Sequence, residues 1–139
     1  MPISVTWDNE DKTILRMTVV ERWTWDEYFA SAQQARNEIS TVDHPVDIIG
    51  DMLRSGPVPL GMPIRRFRFA LDMMPANFRK AAIVGGSPFT KSLMIAFMQI
   101  YKKASEKMVL TQTIDEAYAA LSAPTDTTTD TKLTPPSAG

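Results

Sequence analysis

The chain opens with apolar and polar residues in alternation, Ile3-Ser4-Val5-Thr6-Trp7, the period-two pattern of a strand with one buried face. Turn residues follow at Asp8-Asn9-Glu10-Asp11, and Thr13 to Glu21 is rich in Ile, Val and Thr, so the two runs read as a β-hairpin. The rhythm then becomes helical. Thr24-Trp25-Asp26-Glu27 has the form of a capping box, in which the Thr24 hydroxyl accepts from the Glu27 N–H while the Glu27 carboxylate reaches back to Thr24, and Trp23 and Tyr28 are placed as a hydrophobic staple. Trp25, Phe29, Ala32, Ala35 and Ile39 continue on one helical face and stop before Asp43-His44-Pro45, where Pro45 disfavours helix at His44.

Val46 to Met52 is a short, mostly apolar run of the kind found in a central strand, and Leu53 to Met62, with Ser55-Gly56-Pro57 and Pro59, reads as a loop. Pro63 suits the first turn of a helix running through Met74, closed by Pro75-Ala76-Asn77. Ala81 to Gly86 is a second buried strand, and Ser87-Pro88 supplies the N-cap and first position of a long helix from Phe89 to about Lys107. Met108 to Thr111 reads as a short strand, and Thr113-Ile114-Asp115-Glu116 repeats the capping-box form before Ala117, Tyr118 and Leu121. From Ser122 onward Thr, Pro, Asp and Ser leave little to bury, so a disordered tail over residues 122–139 is expected. The order β-β-α-β-α-β-α-β-α predicts one α/β domain over residues 1–121, with a mixed sheet whose parallel members are joined by crossover helices.

Composition narrows the function classes. A chain of 139 residues with 44% apolar content has the size of one ordinary domain with a real core. Fifteen basic residues against sixteen acidic ones give a formal charge of −1, which offers no general attraction for nucleic acid or an anionic membrane. The absence of Cys excludes disulfides, thiolate metal ligands and a cysteine nucleophile. With no basic and apolar leader pattern at the N-terminus, and no run of the roughly 18 apolar residues that span a bilayer, a cytoplasmic protein is expected.

The hairpin, the stretch Trp23-Thr24-Trp25-Asp26-Glu27-Tyr28, the strand Val46-Asp47-Ile48-Ile49-Gly50-Asp51 and the late Thr113-Ile114-Asp115-Glu116-Ala117 together resemble a bacterial STAS-type domain of the SpoIIAA-like group. The resemblance implies a STAS-like fold and two kinds of function: anti-sigma-factor antagonism switched by phosphorylation of a Ser after the strand, or, by kinship to CRAL-TRIO domains, binding of lipid-like ligands with membrane association. Antagonists of that kind carry Asp-Ser-Ser-Gly or Asp-Ser-x-Gly after the strand. Here the stretch is Asp51-Met52-Leu53-Arg54-Ser55-Gly56-Pro57, and the motif is missing. Ser55 either occupies a displaced version of the phosphoswitch position or belongs to simple turn chemistry.

The ligand and membrane reading rests on Pro63 to Met74. Helical spacing puts Ile64, Phe67, Leu71 and Met74 on one face to pack on the sheet, leaving Phe69 and Met73 outside among Arg65 and Arg66, with Arg68 nearer the edge. A basic helix with exposed aromatic and Met residues behind a Pro/Gly-rich hinge fits a movable lid or an interfacial membrane contact, and the alternative is an ordinary peripheral helix. Its candidate ligand-facing or membrane-facing residues are Arg65, Arg66, Phe67, Arg68, Phe69 and Met73. One short basic helix on a slightly acidic chain gives no case for nucleic acid.

On the long helix, Phe89, Leu93, Ala96, Phe97, Ile100 and Ala104 form the expected core stripe. Ile95 and Met98, with Met94 at the margin, form a second apolar face that suits a homodimer contact or means nothing more than scattered exposure. Nine Met residues fit adaptable packing, around a cavity or at an interface.

Catalytic chemistry finds little foothold. The single His44, the alternating Asp47 and Asp51, and the turn Gly85-Gly86-Ser87-Pro88 form no nucleophile-base pair, no metal set and no full phosphate-binding loop. No catalytic residue, metal or cofactor is assigned. The expectation is a non-enzymatic domain that binds a hydrophobic small molecule, or a membrane or protein partner, through helix 63–74. The alternative is a signalling adaptor related to anti-sigma-factor antagonists. The ligand reading requires an apolar cavity beneath the Arg/Phe helix, whereas the adaptor reading requires a filled core and an available Ser55.

Overall fold

The structure is a computed structural model and describes residues 2–122. Its elements are β1 (Ile3–Trp7), β2 (Ile14–Glu21), α1 (Trp25–Ile39), β3 (Val46–Ser55), α2 (Pro63–Asp72), β4 (Phe78–Val84), α3 (Pro88–Ile100), α4 (Lys102–Lys107), β5 (Met108–Thr111) and α5 (Ile114–Ser122). The five strands lie side by side in sequence order, β1 antiparallel to β2 and the rest parallel. This is the expected α/β architecture, a mixed sheet with crossover helices.

The strand order places the helices. When parallel strands are added in one direction across a sheet, right-handed crossovers leave every connecting helix on the same face. Strand residues Met17, Ile48 and Ile83 accordingly look toward α1, α2 and α3. The opposite face is covered by α5, whose Ala117 and Leu121 bury Ile49, Ala82 and Val84. The period-two alternation of β2 and β3 thus sends Met17 and Ile48 to one side and Arg16, Asp47 and Asp51 to the other.

Local signals operate as read. Thr24 Oγ1 accepts from the Glu27 N–H at 3.1 Å and Glu27 Oε1 accepts from the Thr24 N–H at 2.9 Å, closing the capping box of α1. The staple residues Trp23 and Tyr28 stand 5.7 Å apart between ring centroids. Ser87 caps α3 through the Thr90 N–H, with Pro88 at the first helical position. At α5 the Thr113 hydroxyl accepts from the Glu116 N–H, while the Glu116 carboxylate reaches the Gln112 N–H instead of that of Thr113.

Four boundaries differ from expectation. Strand β3 continues through Leu53-Arg54-Ser55, which were expected in a loop, because β2 pairs with it as far as Glu21 opposite Ser55 once a bulge between Thr18 and Val20 has reset the register. Strand β4 starts at Phe78 and ends at Val84, so Arg79 and Lys80 belong to it. Arg79 is tolerated there because Asp47 on β3 holds its guanidinium. Helix α2 ends at Asp72, with Met73 as its C-cap.

The long helix is two helices, broken at Tyr101, whose backbone is extended at φ −117° and ψ 107°. The break exposes Ile100 and lets α4 turn Ala104 into the core. Ser122, assigned to the tail, is the last residue of α5, and the expected disorder of 123–139 lies outside the described residues.

Candidate functional site

Beneath α2 a cavity of about 130 Å³ separates the helices from the sheet. Its floor is made by Met17, Ile48, Met52 and Ile83 on β2, β3 and β4. Gly50 widens it, since a Cβ there would lie 3.0 Å from Ile83 Cδ1. Helix α1 supplies Tyr28, Ala32 and Ala35, helix α2 supplies Phe67, Ala70 and Leu71 with Met74 just beyond its C-cap, and helix α3 supplies Thr90, Met94 and Phe97. Among the described residues no charged side chain lines it.

Burial differs between the two faces of the sheet in the same place. On the α5 side of the sheet Ile49, Ala82 and Val84 are fully buried, whereas the inward-facing Met17, Ile48, Met52 and Ile83 on the helix side remain half-buried. Their open surface is the cavity. Five methionines, Met17, Met52, Met74, Met94 and Met108, line it, as suits side chains that adapt to an irregular space.

One end of the cavity is an aromatic cluster. Tyr28 lies edge-on to Trp25 at 5.6 Å and to Phe67 at 5.7 Å, and Phe67 in turn meets Phe97 at 6.1 Å. The polar atoms of the neighbouring rings are satisfied: Trp23 Nε1 donates to Ser55 Oγ at 3.0 Å and Trp25 Nε1 donates to the Leu60 carbonyl at 2.8 Å. These two bonds fasten the end of β3 and the loop after it over the cluster. Burial alone pushes the Tyr28 phenol well above the ordinary tyrosine value.

Set beside known proteins, the chain matches no family model and no curated sequence.

The expected residues of α2 divide into two groups. Phe67 is buried and forms part of the cavity wall, together with Ala70 and Leu71. Arg65, Arg68 and Phe69 are exposed and Met73 is half-buried. Arg66 folds back over Trp25, 5.5 Å from the ring centroid, and its Nε donates to the Gly61 carbonyl at 2.5 Å. Arg68 stacks on Tyr101 at 4.3 Å and approaches Asp72 at 3.8 Å. Phe69 is 62% exposed yet meets Phe29 edge-on at 5.5 Å.

The other candidates have structural partners. Ser55 lies at the end of β3, not at a helix N-terminus. Its hydroxyl accepts from Trp23 and donates to the Gly56 carbonyl at 2.8 Å. Asp47 and Asp51 are buried ion-pair partners of Arg79 at 2.6 Å and Arg16 at 3.0 Å. His44 Nε2 sits 2.9 Å from the Lys12 carbonyl, joining two loops.

On α3 the core stripe is Thr90, Met94 and Phe97, with Phe89 and Ile100 exposed. Met94, grouped with a dimer face by spacing, is therefore buried in the core and lines the cavity. Ile95 is exposed and Met98 is half-buried against the core. The stripe is rotated so that Thr90 is buried, its hydroxyl 3.1 Å from Ser87 Oγ, while Phe89 is exposed.

Tyr28 is the site residue that sequence reasoning missed. It was placed as a staple, an apolar role, and the signal for more is that its ring carries a hydroxyl on a face otherwise occupied by Trp, Phe and Ala.

Among the described residues, no group of three His, Cys, Asp or Glu side chains is arranged to hold a metal ion, and no helix is long and apolar enough to cross a membrane.

Proposed function

We propose that this protein binds a small hydrophobic molecule in the cavity beneath α2. The observation that carries the reading is an apolar void where the helix-side core of the domain belongs. The cavity is partly open, and a fitting apolar ligand would bury the side chains that line it, a gain of about 25 cal/mol per Å² of apolar surface covered. The signalling alternative is less well supported, since its filled core is missing and Ser55 is engaged with Trp23 and Gly56.

Toluene is the simplest probe. Titration followed by two-dimensional amide NMR is expected to shift resonances of α1, α2 and the central strands, with the Trp23 indole N–H among the largest movers. Ala81→Phe, which places a ring on the cavity side of β4, is expected to abolish those shifts while keeping a folded spectrum. Shifts absent from the wild type, or undiminished in the variant, would remove the reading.

A second reading concerns the outer surface. Leu60 is 94% exposed, Met62 56% and Phe69 62%, and they neighbour Arg65 at the start of α2, a combination that suits the interface of an anionic bilayer. Co-sedimentation with phosphatidylglycerol vesicles is expected for the wild type and is expected to drop at least tenfold when Leu60 and Phe69 are both replaced by Glu. Equal binding by the two proteins would exclude this surface.

A further inference from the structure

Tyr28 turns the proposed cavity from a general apolar void into a site with one polar anchor. Among the described residues three lining side chains carry a hydrogen-bonding N or O atom, and two of these are already used: Trp23 Nε1 by Ser55 Oγ, and Thr90 Oγ1 by Ser87 Oγ. The Tyr28 hydroxyl has no hydrogen-bond partner among the described residues. Tyr28 lines the cavity with a half-buried side chain, so an O–H group sits in largely apolar surroundings without the partner that buried polar groups almost always find. The ring is fixed by Trp23, Trp25, Phe29 and Phe67, at centroid distances of 5.7, 5.6, 5.8 and 5.7 Å. The hydroxyl is therefore preorganised, and a ligand that meets it loses little to ordering the protein.

Two further facts restrict what the anchor can hold. Among the described residues no Lys, Arg, Asp or Glu lines the cavity, so an ionised ligand would be stripped of water with no countercharge from them. The volume of about 130 Å³ is close to that of an engineered apolar cavity of about 150 Å³ known to accept benzene, so the occupant is of single-ring or short-chain size. A phenol that stays protonated through the physiological range acts first as a donor.

We infer that the natural ligand is a neutral, largely apolar molecule of single-ring or short-chain size carrying one hydrogen-bond acceptor, such as a ketone, aldehyde or ether oxygen, which receives the Tyr28 O–H. The inference rests on the cavity being a ligand site, and it adds the chemical class.

The test compares acetophenone with isopropenylbenzene, of nearly the same shape but with a methylene in place of the carbonyl oxygen, by NMR titration of the wild type and Tyr28→Phe. In the wild type both bind, acetophenone more tightly. Tyr28→Phe weakens acetophenone about fivefold to tenfold, the size of one net hydrogen bond, and leaves isopropenylbenzene within twofold. Benzoate at neutral pH binds at least tenfold more weakly than acetophenone. If both neutral probes bind but Tyr28→Phe affects them equally or not at all, the anchor is overturned and the cavity reading stands. Benzoate binding as tight as that of acetophenone overturns the neutral class. If neither neutral probe binds, the cavity reading fails and this inference with it. The variant removes one oxygen from an apolar environment and keeps the packed ring, so its folded spectrum serves as the control.

Discussion

Replacing Asp47 by Ala is expected to remove about 2 to 4 kcal/mol of folding stability, a large share of what a domain of this size possesses. The carboxylate is buried in the face of the sheet opposite the cavity. It accepts from Arg79 Nε at 2.9 Å and Arg79 Nη2 at 2.6 Å, and from the Lys80 N–H at 3.1 Å. Arg79 Nη2 also donates to the Leu121 carbonyl at 2.6 Å, so the pair ties β3, β4 and the last turn of α5 together. Alanine takes the countercharge from a guanidinium side chain that is only 28% exposed, and it leaves the Lys80 N–H without its acceptor. The residual exposure of Arg79 keeps the loss below the upper end seen for fully buried pairs. Asp47→Asn retains an acceptor for Lys80 but loses the charge, and should fall between wild type and Asp47→Ala. Urea unfolding monitored by circular dichroism decides the matter. A loss under about 1 kcal/mol for Asp47→Ala would mean that the pair is as weak as a surface salt bridge.

Phe97→Ala is expected to cost a further class of energy, about 3 to 5 kcal/mol, through lost burial and an enlarged void. Phe97 is 1% exposed, the largest fully buried side chain of the core, and it packs against Phe67 at 6.1 Å and Tyr101 at 6.0 Å. Most large-to-small substitutions are softened as neighbours relax into the gap. Here the gap opens into a space that already exists, and the rings nearby are held by the Trp23 and Trp25 hydrogen bonds and by the Tyr101 hydroxyl on Asp72. The variant is therefore expected to bind naphthalene at least tenfold more tightly than the wild type does. Chemical denaturation measures the first effect and an NMR titration with naphthalene the second. A loss under about 2 kcal/mol with no gain of naphthalene binding would show that α3 collapses onto the sheet.

The candidate site was legible in part. Helical spacing put Phe67 and Leu71 on the inner face of α2 and Arg65 and Phe69 on the outer, because an isolated amphipathic helix reports its own orientation. It erred on α3, where the stripe starting at Phe89 is displaced to Thr90, Met94 and Phe97. A cap and a helix break, each local in sequence, decide the phase of a helix whose residues are apolar nearly all round. Polar partners were out of reach. Asp47 and Asp51 sit in one strand, but Arg79 and Arg16 come from its two neighbours, brought within reach of them by the pairing of the strands. Ser55 looked available because Trp23, which holds its hydroxyl, lies 32 positions away in the chain.

What the sequence alone determined is what depends on short-range periodicity and capping: the two opening strands, the Thr24 box, the Ser87-Pro88 start of α3, the alternation of strand and helix, and hence a mixed sheet with crossover helices. What only the tertiary structure decided is volume. Side chains from three helices and four strands surround the cavity, and its existence depends on whether their summed bulk fills the space between layers. That sum is not a property of any local segment, because packing is set by distances between elements far apart in the chain. The same reason hid Tyr28. Its place on α1 was readable from the capping box, whereas the missing partner for its hydroxyl is a fact about every atom around it, and appears only when the layers have closed.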